Sequence, residues 1–244
     1  MHRNPVPFYQ MTHSYSMFSE SLEGPSTWKY LRKIGGIAAL TIVGLIPIQM
    51  MVFFLWPPPT TVIGWFSLFQ QQPLIGLIDM DLLLIVDYVL MLIVILSLWV
   101  TLRRTSESFM AIALILQIVS LATYFSSTVA FEMLSLSNQY RAAATDGQRF
   151  VSLAAGQAML ATWQGTAFDV SYILGAVTLL IVSYVMLRSR LFNRTTAFVG
   201  IITSALMFIP PSAGMAGLIL SVLSVPPTAT WLFLVGRRLL SSVK

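Results

Sequence analysis

Long apolar runs alternate with small basic clusters along this chain, and that alternation limits the fold more than any other feature. "KIGGIAALTIVGLIPIQMMVFFLW", residues 33–56, stops at Pro57, Pro58 and Pro59. "LIGLIDMDLLLIVDYVLMLIVILSLWVTL", residues 74–102, runs straight into Arg103 and Arg104. A helix needs about 20 mostly apolar residues to cross the hydrocarbon layer of a bilayer. Six stretches approach or meet that length: 34–56, 77–102, 108–134, 165–187, 195–210 and 214–235. Lipid offers backbone amides no partner, so each stretch must satisfy its own hydrogen bonds as a helix. The fold class that follows is all-α, a polytopic bundle of about six transmembrane helices. Composition excludes the alternative of a soluble domain. Charged residues make up 9% of the chain and hydrophobic ones 57%, where soluble proteins carry roughly 25% charged residues.

Arginine and lysine then orient the bundle, because short loops rich in them stay on the cytoplasmic side. With the amino terminus inside, Arg3, Lys29, Arg32, Lys33, Arg103, Arg104, Arg188, Arg190, Arg194, Arg237, Arg238 and Lys244 are cytoplasmic, and Arg141 and Arg149 alone are external. Both termini are therefore expected in the cytoplasm, with the bacterial inner membrane as the location. Residues 1–32 read as a retained polar tail, 33–240 as the membrane domain, and 57–76 and 135–164 as external segments. Within these, "VIGWFSLF" (62–69) is too short to span and is expected at the interface or as a re-entrant turn. The helical pattern of 148–163 is expected to continue the fourth span outward past Gly165. Gly35, Gly36, Gly44 and Gly175 are candidates for close helix contacts.

The net charge of +5 does not point to nucleic acid, because the basic residues sit beside apolar runs rather than on a polar face. Cysteine is absent and the two histidines, His2 and His13, lie in the tail. No thiolate or imidazole is therefore available within the spans as ligand or base, and no cofactor is expected. The expected partners are the lipid bilayer and a second membrane protein or another copy of the chain.

The acids are the best guide to function. Asp79, Asp81, Asp87, Glu132, Asp146 and Asp169, six of the nine, fall in the external half. At about 1.5 Å per residue, Asp87 lies some 8 Å inside the hydrocarbon layer, where a carboxylate costs up to about 2.5–3.5 kcal/mol and so should face protein or water. Asp79, eight residues earlier, lies within about 80° of it on a helix of about 100° per residue, whereas Asp81 points elsewhere. Gln49 reaches the same depth on the first span. Tyr124 and Glu132 belong to a polar stripe on the third, and Asp169 and Tyr172 to another on the fourth. Asp87, Asp169, Glu132, Asp79, Gln49, Tyr124 and Tyr172 are therefore the candidate ligand-binding residues, lining an outward-opening cavity for a cation, a proton or a small polar ligand. No catalytic residue is assigned. Three other readings use the same residues: hydrogen-bonded glue between helices, a non-catalytic subunit of a larger membrane complex, and an enzyme or hard-cation site built from carboxylates alone.

One stretch carries a resemblance. "TVAFEMLSLSNQYRAAATDGQRFVSLAAGQAMLATWQGTAFDVSYILG", continued by "MLRSRLFNRTTAFVGI" and preceded by "KIGGIAAL", resembles the bacterial membrane family known as domain of unknown function four-three-eight-six, over about residues 30–240. The resemblance implies a six-span fold and no particular chemistry.

Overall fold

The computed structural model describes residues 28–241; the tail reading over 1–27, with both histidines, lies outside the described residues. Among the described residues every regular element is helical. In chain order these are α1 (Lys29–Leu55), α2 (Val62–Gln71), α3 (Pro73–Leu77), a π turn (Ile78–Leu82) and α4 (Leu83–Leu102). There follow α5 (Glu107–Phe125), α6 (Ala130–Ala142), α7 (Asp146–Trp163), α8 (Thr166–Arg188), α9 (Arg194–Leu206), a 3-10 turn (Pro211–Ala213) and α10 (Met215–Ser241). Local sequence explains several starts. Thr61 Oγ1 accepts from Gly64 N at 3.1 Å ahead of α2, and Thr145 Oγ1 from Gln148 N at 3.3 Å ahead of α7. Each hydroxyl satisfies an amide that a first helical turn leaves without a partner. Pro73 opens α3, where a missing N–H costs nothing.

Six of these helices form a closed ring in which α1 packs on α4, α4 on α5, α5 on α8, α8 on α9, α9 on α10 and α10 again on α1. Five helical stretches are long and apolar enough to cross a membrane. α9, with 13 residues, reaches only about 20 Å at 1.5 Å per residue, and completes a bundle of about six spans. Large apolar side chains such as Phe54, Ile115 and Val222 are exposed on the sides of the spans, as lipid permits.

All the basic loops within the described residues that join the spans gather at one end. Arg103 lies over both Trp28 and Trp99, with its guanidinium carbon 5.8 and 5.2 Å from the ring centres, and Arg238 Nε donates to Leu191 O at 2.6 Å. Beneath this basic end sits the larger apolar core, with Ala39, Leu98, Met110, Val182, Trp231 and Val235 all inaccessible to solvent. Glycine makes two of its contacts. A Cβ on Gly36 would stand 3.1 Å from Gly236 O, and one on Gly236 would stand 3.1 Å from Gly36 O, so α1 and α10 approach backbone to backbone. Gly35 likewise leaves room for Ser97 of α4, whose hydroxyl donates to Leu31 O at 2.8 Å. Gly44 does not act as expected, since nothing lies within 4 Å of where its Cβ would be. Its side of α1 is open.

The opposite end carries a cap. The stretch 108–134 is two helices in the structure, α5 ending at Phe125 and α6 beginning at Ala130. α7 is likewise a helix of its own, because Gly165 adopts an extended conformation (φ −91°, ψ −168°) that parts it from α8. α6 packs on α2 and α7, and the second apolar core lies among them: Trp65, Phe66 and Phe69 of α2, Met80, and Ala130 and Met133. The segment 62–69 is thus a helix whose aromatic face is buried under the cap.

Candidate functional site

Asp81 shows how the cap is fastened. Val129 precedes α6 and has no side-chain oxygen to cap it, so the first amides of that helix must find an acceptor elsewhere. Asp81 Oδ2 supplies it, accepting from Val129 N and Ala130 N at 2.7 Å each. The other oxygen, Oδ1, accepts from Trp163 Nε1 at 3.2 Å, and the same indole N–H reaches Met80 O at 3.2 Å. A carboxylate at a helix N-terminus is favoured by the exposed amides and the helix dipole together. Here one carboxylate, 1% exposed, joins the π turn ahead of α4 to the start of α6 and the end of α7.

Two residues earlier the situation reverses. Asp79 is 3% exposed, and neither of its oxygens has a hydrogen-bond partner. It belongs to the π turn, whose hydrogen bonds close over one more residue than an α turn and which recurs at functional sites. The extra residue narrows the angle between Asp79 and Asp87 from the roughly 80° of a regular helix.

Asp87 meets its expected neighbour. Gln49 Nε2 of α1, 7% exposed, donates to Asp87 Oδ2, while Asp87 Oδ1 is buried without a partner. The next residue belongs to a layer of stacked rings and hydroxyls. The Tyr88 and Tyr124 rings stack with centres 4.1 Å apart and 4° between planes. Tyr88 Oη and Ser171 Oγ are 3.2 Å apart. Because Ser171 Oγ donates to Phe168 O at 2.7 Å, the tyrosine is the donor in that pair. Ser120 Oγ closes the layer by donating to Ser171 O at 2.7 Å. The Tyr124 hydroxyl is buried without a partner, within electrostatic reach of Asp81 and Asp87.

The remaining candidates stand apart. Glu132 is exposed on the first turn of α6. Asp169, half-buried in the first turn of α8, accepts from Ser212 Oγ of the 3-10 turn. Tyr172 stacks on Phe168, 6.2 Å between centres, beside Ser224 of α10. Among the described residues no three Asp, Glu or His side chains converge to hold a metal ion, so the four-acid hard-cation site does not assemble. Gln49, Asp87 and Tyr124 come together in one region, with Asp79 above them on the same helix. Sequence reasoning passed over Asp81, Tyr88, Ser120, Trp163 and Ser171. The available sign was Ser126-Ser127-Thr128, a polar break just ahead of α6 inside an otherwise largely apolar stretch from 108 to 134.

Among the described residues no lysine or arginine is hydrogen-bonded to Asp79 or Asp87, and a buried charge is costly unless it is paired. No curated protein and no solved structure matches the chain. The family model described as "Domain of unknown function (DUF4386)" matches residues 80–240, and the chain, with its ring of spans and its cap, belongs to that family.

Proposed function

We propose that this multi-pass membrane protein binds a proton or a monovalent cation at Asp87, with Asp79 as a second station nearer the cap. The observation that carries this reading is the set of three carboxylate oxygens, Asp87 Oδ1 and both of Asp79, that are buried with no donor against them. Structural glue would pair such atoms, as Asp81 is paired. The missing third acid argues for a singly charged ligand over a divalent one.

The test is thermal unfolding of the purified full chain in detergent from pH 4 to 9, in sodium, potassium or choline chloride. The wild type is expected to change its midpoint with pH or with the small cations, and Asp87→Asn to lose that dependence while still inserting and folding. A wild-type midpoint indifferent to both variables would remove the reading. The proposal extends to orientation and location. The gathering of Arg103, Arg188 and Arg237 at one end supports cytoplasmic termini in a bacterial inner membrane. Cysteine labelling at positions 103 and 188 from the same face tests it.

A further inference from the structure

A cleft of about 440 Å³ opens in the cap between the loop after α1, the start of α2 and the end of α7. Exposed Pro58, Thr60, Gln157 and Gln164 rim it, and Trp65 and Trp163 form its inner wall. Its volume falls within the range of small-molecule sites, about 300–1,000 Å³. The wall is built rigidly. The two indoles meet edge to face with centres 5.5 Å apart, and Trp163 is held from behind by Asp81 and Met80. Gly156 lets α7 close on α2, since a Cβ there would stand 2.5 Å from Val62 Cγ1 and 3.0 Å from Phe66 Cζ.

The lining chooses a class of ligand. None of the nine residues around the cleft is charged, and the carboxylate nearest by, Asp81, has its oxygens occupied by three N–H groups. An ion would lose its hydration with no opposite charge to replace it. An acyl chain would cover the Thr60 hydroxyl and the two primary amides and leave them unpaired. What fits is a neutral molecule with hydroxyl groups on its edge and an apolar face to lie against an indole, and that combination is characteristic of a sugar ring. We infer that the cap cleft is a binding site for a neutral saccharide, free or as the headgroup of a glycolipid. This inference does not depend on the role of Asp87.

The test uses the full chain in phosphatidylcholine nanodiscs, so that no sugar-headed detergent competes, and follows tryptophan fluorescence. Free maltose and N-acetylglucosamine form one arm, and nanodiscs containing monoglucosyl diacylglycerol the other. A saturable change is expected in at least one arm. Gln157→Ala with Gln164→Ala should weaken it roughly tenfold, the effect of two lost hydrogen bonds, with the melting temperature unchanged because both side chains are exposed. A response to the free sugars assigns a soluble ligand, and one confined to the glycolipid assigns a headgroup. The inference fails if neither arm responds, if the double variant binds as the wild type does, or if glucose 6-phosphate binds as tightly as the neutral sugars.

Discussion

The two ends of the bundle are held together by different means. At the basic end, apolar side chains interdigitate and glycines bring backbones into contact, as between Gly36 and Gly236. At the cap end, short helices converge on one carboxylate, and aromatic rings fill the space around it. The first kind of packing is spread over many residues. The second is concentrated. Where stabilisation is concentrated in few bonds, an enclosed polar space can survive beside it, and both the cap cleft and the unpaired acids lie in that half.

The sharpest way to break this contrast is Asp81→Ala. It leaves two backbone N–H groups, of Val129 and Ala130, without acceptors, at about 1–3 kcal/mol for each buried donor, while the Trp163 indole keeps Met80 O, so a loss of about 2 kcal/mol or more is expected in chemical unfolding. Hydrogen exchange should rise first at the start of α6. Next in size is Gly36→Val, which overpacks the contact with Leu240 and Gly236 and should cost about 1–3 kcal/mol. Gly44→Val on the same helix should stay within about 0.5 kcal/mol, and equal effects at the two glycines would deny the seam its role. The smallest is Trp163→Phe, which keeps an aromatic ring but removes the N–H shared between Asp81 and Met80, for about 1 kcal/mol. If Asp81→Ala unfolds no more easily than Trp163→Phe, the cap is not suspended from that carboxylate.

How much of this was legible in the sequence follows from what each signal encodes. Apolar length encodes a helix, and counting residues along it encodes depth. That is why Gln49 and Asp87, 38 positions apart, could be set at the same level and do share a hydrogen bond. Azimuth around the bundle is not encoded, because it depends on which helix neighbours which. Glu132 and Asp169 share the acid-rich end with Asp87, yet one faces solvent and the other turns toward Ser212. Asp81 was opaque for a related reason. Its partners are backbone amides 48 and 49 residues away, and an amide leaves no trace in the identity of its side chain. The π turn was equally hidden, since "IDMDL" has nothing in its composition to separate it from the helix on either side.

The return of α10 onto α1 has a consequence for biogenesis. α1 leaves the ribosome long before α10 exists, so the glycine surface around Gly36 must wait in the membrane against lipid while the other spans are inserted in turn. The ring is sealed by the joining of its earliest and latest members, and any block to the insertion of α10 would leave an open arc with a backbone-lined gap rather than a smaller closed bundle.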